Sequence, residues 1–256
     1  MFYLNTTYLG IDPTAGVRPF TYVALDHGLQ LLALGQGDLG DVLAFVAGQT
    51  AAFVAVCAPQ SPNQGLMDRP EVREHLVPPP RPGRWRDFRV AEYLLRQHNI
   101  PVPRTPAERE ACPGWMKQGF LFFQKLAELG YSVYPESGTT RQYLEVYPHA
   151  CFAVLLGRLP LPKHTLEGRL QRQLVLYEQK IHLPDPMMVF EEFTRHRLLQ
   201  GILPMDNLYQ TEELDALAAA YVAWMAANKP EQITQLGDRR EGQIVLPAAT
   251  LRQRYT

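Results

Sequence analysis

The chain has 256 residues, 46% hydrophobic and 20% charged, with a formal net charge of −1. That composition is ordinary for a globular protein with a real core, and it excludes recognition of a polyanion by overall charge, so nucleic-acid contact would need a local basic face. Three cysteines, Cys57, Cys112 and Cys151, lack C-x-x-C or metal-site spacing, which predicts reduced thiols and a cytoplasmic location.

Asn5, Thr6 and Thr7 interrupt the N-terminus, so no signal peptide is expected. A strand ending at Asp12 leads into Pro13-Thr-Ala-Gly16, and two more strands follow near 20–26 and 29–35, joined by an Asp26-His27-Gly28 turn. Gly37-Asp38 opens a helix over Val42–Thr50, and Phe53–Cys57 reads as a buried strand beside parallel neighbours. The stretch 39–59 is the most membrane-like in the chain, but Asp41 and Gln49 interrupt it, so no membrane span is expected. Residues from about 60 to 130 read as a Pro/Arg-rich insertion with helices near Phe88–Gln97 and Trp115–Leu129. Beyond it come β-like runs at Tyr131–Tyr134 and Gln142–Tyr147, and a helix starting at Pro148. Three more helices are expected over Thr165–Ile181, Met187–Gln200 and Thr211–Asn228, the last capped by Thr211. A hairpin of Gln232–Leu236 and Gln243–Leu246 closes a single domain spanning 1–256.

An unpaired carboxylate at the end of a buried strand is costly unless a cation or hydrogen bonds meet it. Asp12 ends the first strand, Cys57 the fourth, and Glu145 lies near the end of the fifth. Adjacent strand ends lie roughly 5 Å apart. The alanine face of Ala216, Ala218, Ala219, Ala220 and Ala223 would let the last helix approach the sheet and bring Asp215 close. Asp12, Glu145 and Asp215 together would form a hard-oxygen site for Mg²⁺ or Mn²⁺, suited to phosphodiester hydrolysis. Each acid also has a plainer reading: Asp12 as a turn former, Asp215 as a complement to the helix dipole, Glu145 as a partner of Arg141 or His149. Glu192 and His196, at i,i+4, read more readily as an ion pair than as metal ligands.

Gly10-Ile-Asp-Pro-Thr-Ala-Gly, Val54-Ala-Val-Cys-Ala-Pro59, Leu144-Glu-Val-Tyr-Pro-His-Ala150 and Leu214-Asp-Ala-Leu-Ala-Ala-Ala220 occur in that order. In these blocks the chain resembles an uncharacterised family described as predicted ribonuclease-H-like nucleases. The resemblance implies an α/β, ribonuclease H-like fold with a mixed five-stranded sheet flanked by helices. It also implies divalent-metal-dependent nuclease activity on RNA or DNA, with Asp12, Glu145 and Asp215 as catalytic and metal-binding acids. Where such proteins carry Asp before Ala-Pro, this chain has Cys57, a poor ligand for Mg²⁺. A weakened site is therefore expected, and Cys57→Asp is expected to raise Mg²⁺-dependent cleavage.

Arg81, Arg84, Trp85, Arg86 and Arg89 form the densest basic stretch, and Lys163 and Arg169 belong to a second cluster with Arg158, His164 and Arg172. Arginines beside flat rings suit phosphate contact and base stacking, which makes both stretches candidate nucleic-acid contacts. Two alternatives stand beside the nuclease: a non-catalytic nucleic-acid or partner-binding scaffold of the same fold, favoured by Cys57, and an actin-like ATP-binding protein. The latter needs a second phosphate loop, which the sequence after residue 130 does not supply.

Overall fold

Alternation in the first strand divides the protein into two packing layers. In a computed structural model, which describes residues 5–17, 19–81, 83–202 and 205–256, β1 (Thr7–Pro13) is buried on both sides. Leu9 and Ile11 pack into one core and Tyr8 into the other, as the period of two requires. β2 (Phe20–Leu25) and β3 (Leu31–Gly37) continue the meander antiparallel to it. α1 (Leu39–Ala47) starts at a capping box in which Asp38 accepts from the Asp41 N–H and the Asp41 carboxylate accepts from the Asp38 N–H. β4 (Ala52–Val56) then returns parallel to β1.

Between β4 and the next long strand lie a 3₁₀ turn (Leu66–Asp68), α2 (Pro70–Arg73), α3 (Val90–Gln97), a second 3₁₀ turn (Arg109–Ala111), α4 (Gly114–Glu128) and β5 (Ser132–Val133). β6 (Arg141–Glu145) pairs parallel with β4 along one side and with β5 along the other. α5 (Pro148–Leu156), α6 (Leu166–Glu178), α7 (Met188–Glu192), α8 (Arg195–Leu199) and α9 (Thr211–Asn228) follow, and β7 (Thr234–Asp238) with β8 (Gly242–Leu246) completes the chain of elements.

The result is an open, mixed sheet of eight strands in the order β3-β2-β1-β4-β6-β8-β7, with β5 beside β6. This corrects the expected count of five. The C-terminal hairpin is not a separate appendage, because β8 adds to β6 where Glu145 meets Ile244. α9, with α5 and α6, covers one face of the sheet; α1 and α4 cover the other. No helix among the described residues is long and apolar enough to cross a membrane.

Two local expectations also change. The helix expected over 187–200 is two short ones, because Thr194 caps α8 through its hydroxyl and leaves Phe193 extended. Glu192 then pairs with Arg197 at 2.9 Å rather than sharing a helix face with His196. The cap of α9 is Gln210, not Thr211: the Gln210 N–H donates to Glu213 at 2.7 Å, which frees the Thr211 hydroxyl for the Lys163 carbonyl.

Candidate functional site: an acidic cavity at the sheet edge

The carboxyl ends of β1 and β4 meet the first turns of α9. Cys57 donates its N–H to the Ile11 carbonyl at 2.8 Å, which extends the β1–β4 pairing one step past the strand. Its thiol is 3.6 Å from the carbonyl of Asp215. α9 reaches this position because Gly10 has no side chain. A Cβ there would lie 1.8 Å from the Ala216 carbonyl oxygen and 2.5 Å from the Ala220 nitrogen, so backbone packs on backbone. Ala216, Ala218, Ala219, Ala220 and Ala223 are accordingly fully buried, and Asp215 is delivered to the edge beside Asp12.

Asp12, Cys57 and Asp215 line one cavity of about 460 Å³, together with Thr14, Trp115, Tyr147, His149, Lys163, Arg172 and Glu212. Burial, and then the neighbouring Asp215, push Asp12 well above the usual carboxylate range against the pull of Lys163. The Asp12 carboxylate accepts no hydrogen bond from any described residue. Asp215 is also raised by burial, though Lys163 opposes this from 3.1 Å. The Cys57 thiol is held protonated by burial and by the two acids. Burial, then Arg172 and Lys163, lower His149 to about 4, so its imidazole is neutral at physiological pH.

The loop that carries Lys163 is fixed from several directions. Gly168 lets α6 approach the Pro162 carbonyl, Arg172 donates to the Leu161 carbonyl at 2.8 Å, and Thr211 donates to the Lys163 carbonyl at 3.2 Å. On the opposite side, Gly114 admits the Ala15 methyl, which brings Trp115 at the start of α4 to the cavity rim.

Glu145 does not join the two aspartates. It is in register with Val56, whose side chain packs on the face opposite Phe53, Ala55 and Cys57, so alternation carries Glu145 away from Asp12. Both of its oxygens are taken by Arg89, and the Gln60 N–H donates to it at 2.8 Å. Arg89 also holds Glu92 at 3.0 Å and the Glu241 carbonyl at 2.9 Å. The set ties α3 to the end of β6 and to the β7–β8 turn. Among the described residues, no group of three or more His, Cys, Asp or Glu side chains is placed to hold a metal ion. The three-acid arrangement expected from the sequence is therefore replaced by a pair plus a structural ion pair.

The basic residues are also redistributed. Arg89 is 1% exposed and committed to Glu92 and Glu145, so it has nothing to present to a phosphate. Trp85 packs edge-on against Phe88 and Tyr93, and Arg86 pairs with Asp68 at 3.0 Å. Arg81 and Arg84 are exposed, but neither lines the acidic cavity. Arg169 donates to the carbonyls of Tyr209 and Leu208. Of the proposed nucleic-acid contacts, Lys163 and Arg172 line the cavity. Arg172, His149, Trp115 and Tyr147 are the cavity residues that strand-end reasoning did not select; the spacing of Arg172 from Lys163 across one loop and helix start was the available signal.

The raised Asp12 has a thermodynamic consequence. A carboxyl that titrates higher in the folded chain than its ordinary 3.8 stabilises fully in acid, and this contribution is lost as pH rises through the folded value. Asp12→Asn is therefore expected to be more stable than wild type at pH 7, by about 0.5–2 kcal/mol. The gain should vanish below about pH 4. Thermal melts of both proteins at pH 7 and pH 3 check this, and equal stability at pH 7 contradicts it.

The fold and the cavity define a mixed α/β protein with a recessed aspartate pair at the carboxyl edge of its sheet. The chain belongs to DUF429, a family described as a protein of unknown function, whose model matches residues 10–241. No curated protein and no solved structure matches the chain.

Proposed function

We propose that the protein hydrolyses phosphoester bonds of nucleic acid at the Asp12–Asp215 cavity, assisted by one divalent ion, Mg²⁺ or Mn²⁺. The observation that carries this reading is Asp12, a carboxylate beside a second buried acid with no hydrogen bond from a described residue. Such a pair calls for a proton or a cation. Mg²⁺ is commonly held by one or two carboxylates, with waters and substrate phosphate completing its shell, so this donor set fits one ion. Position 57 adds no carboxylate for a second ion, because Cys57 presents a protonated thiol. When bound, the ion supplies a lowered pKa for water and charge stabilisation at phosphorus.

The strand order β3-β2-β1-β4-β6, antiparallel over the first three strands and parallel over the last three, supports a ribonuclease H-like reading of the sheet. An acid on the first strand beside an acid on the last helix is consistent with that reading. Asp12 and Asp215 would hold the ion, and Lys163 and Arg172 would attract the substrate phosphate.

Calorimetric titration of Mn²⁺ and Mg²⁺ tests the site before any substrate is known. Binding is expected in wild type and in Glu145→Gln, tighter in Cys57→Asp, and absent in Asp12→Asn. No binding by wild type sinks the proposal and favours the non-catalytic scaffold, in which the Lys163–Asp215 pair already neutralises one acid.

A further inference from the structure

Part of the cavity wall is left unused by a cation held between the aspartates. Arg172 is 1% exposed and lines the cavity, yet its Nε has no hydrogen-bond partner among the described residues. The side chain is fixed: Nη1 donates to the Leu161 and Gly168 carbonyls, and the guanidinium lies over the Phe152 ring at 5.2 Å. His149 lines the same cavity with a buried Nε2 that has no hydrogen-bond partner among the described residues. Buried polar groups without partners are costly, and an anionic acceptor entering the cavity would satisfy them. Lys163, paired with Asp215 at 3.1 Å, adds a second positive charge to the cavity, and Trp115 and Tyr147 add aromatic surface.

The floor of the cavity is recessed, with Asp215 and Cys57 each 6% exposed. Only a group that projects inward can reach it; the middle of a long strand or duplex presents its phosphates along an outer surface. None of the arginines from 81 to 96 lines the cavity, so that basic stretch does not lead a polymer into it. Its volume falls within the roughly 300–1,000 Å³ typical of small-ligand pockets.

We propose that the cavity seats the phosphate of a single nucleotide unit, free or at the end of a strand, on Arg172, Lys163 and His149. The base lies against Trp115 and Tyr147, where flat rings accept any base by stacking. The hydrolytic role of this unit rests on the phosphoester reading, but its binding does not, since none of these contacts passes through a cation.

The test is calorimetric titration of a nucleoside 5′-monophosphate, with competition by linear 5′-phosphorylated and circular single-stranded DNA of the same sequence. Without added metal, wild type is expected to bind the monophosphate, the linear strand or both, but not the circle. Asp12→Asn should bind at least as well, because it removes a repelling charge. Lys163→Ala should weaken binding several-fold and Trp115→Ala about tenfold. Both variants spare the buried Arg172, whose loss would endanger folding. Monophosphate binding without competition by the linear strand assigns a free nucleotide; competition by the linear strand assigns a strand end. Equal binding of circle and linear strand, or no binding of either nucleotide form by wild type and Asp12→Asn, overturns the proposal. Nucleotide binding without Mn²⁺ binding overturns the cation reading alone.

Discussion

Replacing Arg89 with methionine is expected to lower the free energy of unfolding by about 3–5 kcal/mol, the usual cost of removing one partner from a buried ion pair. The reason lies in what remains. Glu145, Glu92 and Glu241 are all buried, at 3%, 1% and 0% exposure; Arg89 pairs with the carboxylates of the first two and donates to the backbone carbonyl of the third. Glu241 has one oxygen on the Val90 N–H at 2.6 Å and the other without a partner among the described residues, and burial raises its pKa. Without the guanidinium, Glu145 and Glu92 would have to take up protons or draw in water. Either response loosens α3 from the β7–β8 hairpin. Urea denaturation of the variant and the parent measures the effect. A loss below 1 kcal/mol would mean that the carboxylates are accommodated without Arg89, and Glu145 would again be open to another role.

That network shows where the sequence was legible and where it was not. The meander, the parallel return through β4 and the helix over Thr211–Asn228 follow from periodicity and turn residues, and they appear where expected. The proximity of Asp12 and Asp215 was also readable, because a run of alanines on a helix predicts close approach to a sheet. The fate of Glu145 was half readable. Alternation along β4 and β6 places Glu145 level with Val56, and therefore on the other face from Cys57, once the register is known. The register itself depends on long-range pairing that no local signal specifies. Arg89 was unreadable in a different way: it sits 56 residues from Glu145 in a proline-rich connection. An arginine among arginines and aromatics looks the same whether it faces a phosphate or closes a buried ion pair. The β8–β6 pairing was missed for a similar reason, since a terminal hairpin carries no mark of the edge it joins.

Gly10→Ala is expected to damage both the fold and the site, with stability lost by about 1–3 kcal/mol or more and any hydrolytic activity lowered on the order of a hundredfold. The added methyl meets backbone atoms of Ala216 and Ala220, which no rotamer change can move, so α9 itself must shift. Asp215 precedes Ala216, and a displaced helix carries that carboxylate away from Asp12 and from the Cys57 thiol. Gly35→Ala is the control. The three atoms nearest its Cβ would be the hydroxyl and ring of Tyr22, at 2.9–3.2 Å, and a partly exposed side chain can yield by a few tenths of an ångström. Chemical denaturation should therefore separate the two variants clearly, and Mn²⁺ titration should show the ion site lost in Gly10→Ala alone. If Gly10→Ala keeps both parental stability and parental ion binding, the helix does not rest on β1 at this glycine. The aspartates would then owe their proximity to some other constraint.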